Sequence, residues 1–198
     1  VTTDGALARL IRSAADRTAT SAAELCELCA APVPDDHRHL YDGGDDEVRC
    51  VCRPCSVLFA DDAAGEGRYR LVPRRRVRLP RVDTAILGVP VGLVFFVPRA
   101  DGTVTAQGPS PAGAMRWEVD AASWQRLAAM CPQLASMAPE VEALLVNTVH
   151  GLDHHWIVPI DDCYRMVAVV RREWRGLSGG GRVWRAVEGF FEDLTERP

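Results

Sequence analysis

The sequence predicts an α+β protein in which a small zinc-ribbon or treble-clef-like metal module precedes a mixed α+β domain. Three observations lead there. Cys26-Glu27-Leu28-Cys29 and Cys52-Arg53-Pro54-Cys55, separated by twenty-two residues, form two C-x-x-C knuckles, each able to point two sulfurs at one metal ion. Beyond Leu79, short apolar runs of strand character alternate with amphipathic helical patterns. Charge also breaks sharply: residues 21–66 carry eleven Asp and Glu against three Arg, whereas Arg68 to Arg81 holds seven arginines and no acid. These breaks divide the 198 residues into a helix and linker (1–20), a four-cysteine module (21–66), an Arg-rich connector (67–81) and an α+β domain (82–198).

Taken in order, Ala6 to Ala15 places Leu7, Leu10 and Ile11 on one face of a short amphipathic helix, and Ser13 to Ala23 is a small-residue linker. Ala31-Pro32-Val33-Pro34 breaks regular structure after the first knuckle. His37 to Tyr41 alternates like a strand, Asp42-Gly43-Gly44-Asp45 is a hairpin turn, and Val48 to Cys52 is the returning strand. Ser56 to Phe59 then starts either a strand or a helix, a choice that separates ribbon from treble clef. In the larger domain, strands are expected over Val89–Val97, Thr103–Gln107 and Met115–Val119, with a loop at Pro109–Gly113. Asp120 caps a helix that stops before Pro132. Pro139 to Asn147 begins helical and ends β-like, and Trp156 to Ile160 is a strand whose Pro159 suggests an edge. Asp161 or Asp162 caps a helix with Cys163, Val167, Val170 and Trp174 on its apolar face and Gly176 as its stop. Val183, Trp184, Val187, Phe190, Phe191 and Leu194 mark the last helix, and the glycines at 179–181 before it read as an interhelix linker.

The cysteines carry the clearest chemistry. Nothing from Val1 to Leu10 resembles an apolar signal segment, so the expectation is a cytoplasmic protein with reduced thiols rather than disulfides. Two pairs sharing one short segment also differ from the solitary redox C-x-x-C. Cys26, Cys29, Cys52 and Cys55 are therefore the expected metal ligands, with zinc as the ion and iron in a rubredoxin-like site as the alternative. Cys50 should share a face with Cys52 and serve as an apolar wall near the metal. His37 and His39 are strand residues or donors to the ligands; a treble-clef nuclease would need another histidine after the second knuckle, and none lies between His39 and His150. His150, Asp153, His154 and His155, with Asp161, Asp162 and Cys163, contain enough ligands for another site but read as a polar loop and a core cysteine. Cys131 reads as an apolar residue at a helix end.

No apolar run is long enough to span a bilayer, and the formal net charge is −4. All 23 basic residues are arginine, a pattern expected of a GC-rich coding bias. The arginine run beside a zinc module could contact phosphates, yet the acidic module would repel nucleic acid and is itself the simplest partner for the arginines.

Cys-Glu-Leu-Cys, His-Arg-His-Leu, Cys-Val-Cys-Arg-Pro-Cys-Ser-Val-Leu-Phe, Gly-Arg-Tyr-Arg, Pro-Ser-Pro-Ala-Gly-Ala, Glu-Ala-Leu-Leu-Val-Asn, Val-Pro-Ile-Asp-Asp-Cys-Tyr and Trp-Arg-Gly-Leu-Ser-Gly-Gly together resemble an uncharacterised, mainly actinobacterial family whose genes tend to sit beside those of uptake nickel–iron hydrogenases. The resemblance implies a non-catalytic, metal-binding accessory protein that engages hydrogenase subunits or maturation factors, with the four knuckle cysteines as its metal positions and no catalytic residue. A zinc-ribbon nucleic-acid binder and a rubredoxin-like electron-transfer protein are the competing expectations.

Overall fold

The computed structural model describes residues 24–60, 65, 67–176 and 179–196; the expected N-terminal helix and linker lie outside them. Strands β1 (Arg38–Asp42) and β2 (Glu47–Val51) form the expected hairpin, pairing His39 with Cys50 and Asp42 with Glu47. Asp42 Oδ1 accepts the Gly44 N–H at 3.0 Å across the turn, and Asp46 leaves it in the left-handed region at φ 56°. Helix α1 (Arg53–Val57) follows at once, with Pro54 in its first turn where no N–H is required. Strand β3 (Tyr69–Leu71) joins the free side of β1, giving the order β2-β1-β3.

A second sheet contains β4 (Val77–Arg78), β5 (Leu93–Pro98), β6 (Val104–Ser110), β7 (Gly113–Val119), β8 (Glu142–Asn147) and β9 (His154–Pro159) in the order β4-β9-β8-β5-β6-β7, with antiparallel pairing throughout. Helix α2 (Ala121–Met130) packs Trp124 and Leu127 on one face against Phe96, Leu144 and Val146. Helices α3 (Ile160–Glu173) and α4 (Gly180–Glu196) cover the other, where Met166, Val170, Val187 and Phe191 meet Phe95, Leu145 and Val158. Leu93 to Val97 reads as uniformly apolar because successive side chains enter two different cores. Asp120 caps α2 as expected, accepting the Ser123 N–H at 2.8 Å.

Several boundaries differ from the sequence reading. The strand expected from Val89 starts at Leu93, because Gly88 closes a 3-10 turn at φ 69° and Pro90 brings no N–H to a ladder. Pro109 to Gly113 is not a loop: β6 and β7 run through it, pairing Ser110 with Gly113 around Pro111 and Ala112. The helical start expected at Pro139 lies earlier, as a 3-10 turn over Pro132–Ser136, and Glu140 takes φ 70° just before β8. Neither Asp161 nor Asp162 caps α3, since Pro159 holds the cap position and both acids fall in the first turn; α3 also stops at Glu173, short of Gly176. Pro159 sits beyond the reach of β4, which pairs only with Trp156 and Ile157, so the expected edge is realised at that end of β9.

The arginine run crosses from one sheet to the other, and five of its seven charges are taken up on the way. Arg68 forks onto Asp42 and Arg74 meets Asp36, as the acidic module suggested. The others reach the larger sheet instead: Arg70 donates to the Pro139 carbonyl, Arg75 forks onto Glu142 and also donates to the Ser136 carbonyl, and Arg76 forks onto Asp162. Tyr41 and Val72 continue the join as apolar contacts with the larger core. In the hairpin, Arg68, with Arg49 and the Gly44 N–H, holds Asp42 well below its usual 3.8 despite full burial. A depressed carboxylate pKa contributes stability that is complete above the unfolded value and disappears as pH falls through the folded one. Protection factors of the β1–β2 amides, which refer each rate to the intrinsic exchange rate at that pH, should therefore be unchanged from pH 7 to 5 and fall below about pH 4 in wild type, as exchange accelerates relative to the intrinsic rate. The pH-dependent part of this acceleration should be lost in Asp42→Asn; the same acid profile in both proteins would remove Asp42 as its source.

Candidate metal centre

Both knuckles are built by backbone geometry that brings their sulfurs inward. In the first, Cys26 N–H donates to the Ala31 carbonyl and Ala30 N–H to the Cys26 carbonyl, both at 2.7 Å, while Leu25 and Pro32 form a β-bridge. Ala30 closes this loop at φ 58°, a conformation that glycine adopts with less strain. In the second, Cys52 occupies the cap position of α1 and Cys55 lies within its single turn. Glu27 ties the knuckles together, its N–H donating to the Cys50 carbonyl at 2.9 Å and its carboxylate accepting the Cys50 N–H at 2.7 Å.

The four knuckle sulfurs lie within 4.8 Å of one another, with Cys29 Sγ 3.6 Å from Cys52 Sγ. Four thiolates at metal–sulfur distances of about 2.3 Å stand roughly 3.8 Å apart in a tetrahedron, so the cluster needs little adjustment to close around an ion. Cys26 and Cys52 are buried, forming a small core with Val33, Leu40 and Val51, whereas Cys29 is exposed. Burial pushes the Cys26 thiol up, but N–H groups of Cys52, Leu28 and Cys29 outweigh it and bring the group down to about 6. Beside it, Cys52 and Cys29 push Cys55 up to about 12. Cys29 receives help from the Ala31 N–H yet is raised by Cys26 and Cys52. One thiolate forms readily and then opposes the next, an arrangement that a divalent cation relieves.

Cys50 is not one of the four converging sulfurs, although it lies near enough for Cys26, after burial and the Glu24 and Glu27 charges, to help raise its thiol. Opposite His39 in the hairpin register, it joins His37 and His39 in a second group whose ligand atoms also lie within 4.8 Å of one another. The missed signal was the turn length: with residues 43–46 as the turn, His39 and Cys50 must face each other across the strands.

The remaining candidates are kept apart. His154 stacks on Phe191, His155 pairs with Asp153 at 2.9 Å, and His150 meets Trp184. Because His154 and His155 are consecutive in β9, they point to opposite faces of the sheet. Asp162 is committed to Arg76 and Arg165. Cys163 is fully buried, and burial raises its thiol well above the usual range, while Cys131 is an inward-facing residue at the end of α2, as expected. No helix among the described residues is long and apolar enough to cross a membrane.

Searches against curated proteins and against solved structures found no match. A match from Leu25 to the C-terminal residue places the chain in a family of unknown function, DUF5947, over residues 25–198.

Proposed function

We propose that the chain is a non-catalytic, metal-binding accessory protein whose four-thiolate centre, holding zinc, shapes a surface for another protein. The convergence of four cysteine sulfurs carries this reading: four protein ligands complete a tetrahedral ion and leave no open position for substrate, the arrangement of structural zinc sites. A knuckle, a hairpin and a helix bearing the second pair favour the treble-clef plan over the ribbon. Among the described residues, four of the seven exposed large apolar side chains, Leu25, Leu28, Val57 and Leu58, flank these knuckles at 39–65% exposure, which favours protein contact over a solvated module. The arginines that could have gripped phosphate are largely engaged within the chain, which disfavours the nucleic-acid alternative.

The family resemblance of the motifs directs the partner to nickel–iron hydrogenase subunits or their maturation factors. Affinity capture after mild crosslinking should recover such a component with wild type. Leu28→Asp/Leu58→Asp should reduce recovery at least about tenfold, a loss of roughly 1.4 kcal/mol, while retaining metal. Equal recovery with the variant would overturn the docking surface, and failure to recover a hydrogenase component with wild type would overturn the partner.

A further inference from the structure

We propose that His37, His39 and Cys50 form a second, exchangeable site for a divalent transition-metal ion, with the Asp161 carboxylate of helix α3 supporting it through His39. This site is distinct from the four-cysteine centre and does not depend on that centre's being the docking device. The His37 and His39 rings are 4.6 Å apart and inclined at 54°, and Cys50 stands across the hairpin from His39. Each residue offers one ligand atom to a common space less than 4.8 Å across.

The hydrogen bonds around the rings prepare them for metal binding. His37 Nδ1 is 2.8 Å from the Pro34 carbonyl, which can only accept, so Nδ1 carries the proton and Nε2 keeps its lone pair. That Nε2 is buried without a hydrogen-bond partner, the Glu24 carboxylate standing off at 3.6 Å. An imidazole held by a backbone carbonyl at one nitrogen and open at the other has the usual set-up of a ligand histidine. His39 Nδ1 lies 2.8 Å from Asp161 Oδ2, but their alignment is too poor for a hydrogen bond, and Nδ1 is likewise buried without one. Among the described residues here, only His37, His39 and Cys50 have ligand atoms that close together, so Asp161 acts beside the ion, through His39, as a carboxylate partner of a ligand histidine does. Two imidazoles, one thiol and a neighbouring carboxylate suit borderline ions such as zinc or cobalt, whereas calcium and magnesium prefer oxygen.

Access and consequence follow from position. His37 lines an open cleft of about 490 Å³ together with Arg38, Arg53, Val57, Leu71 and Arg74, which puts one ring of the trio at the solvent edge while its Nε2 stays buried. His39 and Cys50 belong to the small sheet and His37 immediately precedes it, whereas Asp161 belongs to the first turn of α3. Binding therefore fastens the metal module to the larger domain, and its mixed ligands make this ion easier to exchange than one held by four thiolates.

Cobalt(II) titration of the 198-residue chain, with metal analysis and visible absorption, tests the site. Wild type should bind two ions, the second weaker, adding a thiolate-to-cobalt band. Cys50→Ser should remove that band and His37→Gln/His39→Gln the second ion, while Asp161→Asn should weaken the second ion about ten- to a hundredfold. All should retain the first ion, which Cys26→Ser should lose; retention also reports that the module folds. If the four-cysteine reading alone is wrong, wild type binds one ion that is lost in the His37/His39 variant and kept in Cys26→Ser. A single ion insensitive to Cys50, His37 and His39, or a second ion bound equally by all variants, would overturn the second site.

Discussion

Replacing Cys26 and Cys55 together by serine should abolish metal binding at the four-cysteine centre and unfold the small sheet, the largest effect expected of any change in this chain. Structural zinc contributes about 10–16 kcal/mol in isolated fingers at neutral pH. The core it would support here is small: Val33, Leu40 and Val51 are its buried non-cysteine side chains, with Phe59 and Leu71 packed alongside. The larger sheet instead has apolar cores on both faces. Chelation should therefore expose the β1–β2 and knuckle amides to exchange while β5, β8 and β9 keep their protection. Tyr41 and Val72 reach the larger core, so local loosening around them should accompany the loss. Because Cys29 and Cys55 are raised without an ion, metal uptake must expel protons, and affinity should fall as pH falls from 8 to 6. Metal content near one at the four-cysteine site in the double variant, or undiminished protection after chelation, would sink the assignment of that centre as the module's support.

How far the sequence could be read depends on the range of the interaction. The convergence of the four cysteines was legible because a knuckle is a local device, four residues long, whose spacing directly reports its geometry. The β1–β2 hairpin was legible for the same reason, through Asp42-Gly43-Gly44-Asp45. The destinations of Arg70, Arg75 and Arg76 were not: the Arg76–Asp162 pair spans 86 residues, and charge balance along the chain pointed only to the nearer acids. Asp161 and Asp162 looked like helix caps because acids before an apolar stripe usually are. Tertiary packing overrode that local preference and turned one toward His39 and the other toward Arg76. Cys50 was misplaced for a subtler reason. Alternation put it on the same strand face as Cys52, but Cys52 has already left the strand to start α1, so the two sulfurs enter different clusters.

Asp162→Ala should cost about 3 kcal/mol, the low end for breaking a buried ion pair because Arg76 remains partly in contact with water. Asp162 is almost wholly buried and accepts both arms of the Arg76 guanidinium, at 2.6 and 3.2 Å, while Arg165 approaches from the next turn of α3 at 3.0 Å. Truncation leaves Arg76 beside β4 with its charge unpaired, and β4 is held to the sheet through only two residues. The edge strand should therefore detach first, with faster exchange at Val77 and Leu79 and a lower denaturant midpoint. Arg76→Met/Asp162→Leu separates pairing from packing: removing both charges should recover most of the loss, since a matched apolar pair often equals a buried ion pair. If the double variant is as unstable as Asp162→Ala, shape rather than charge holds this seam; if Asp162→Ala costs less than about 1 kcal/mol, the pair behaves as a surface salt bridge and the arginine run does not fasten the small sheet to the large one.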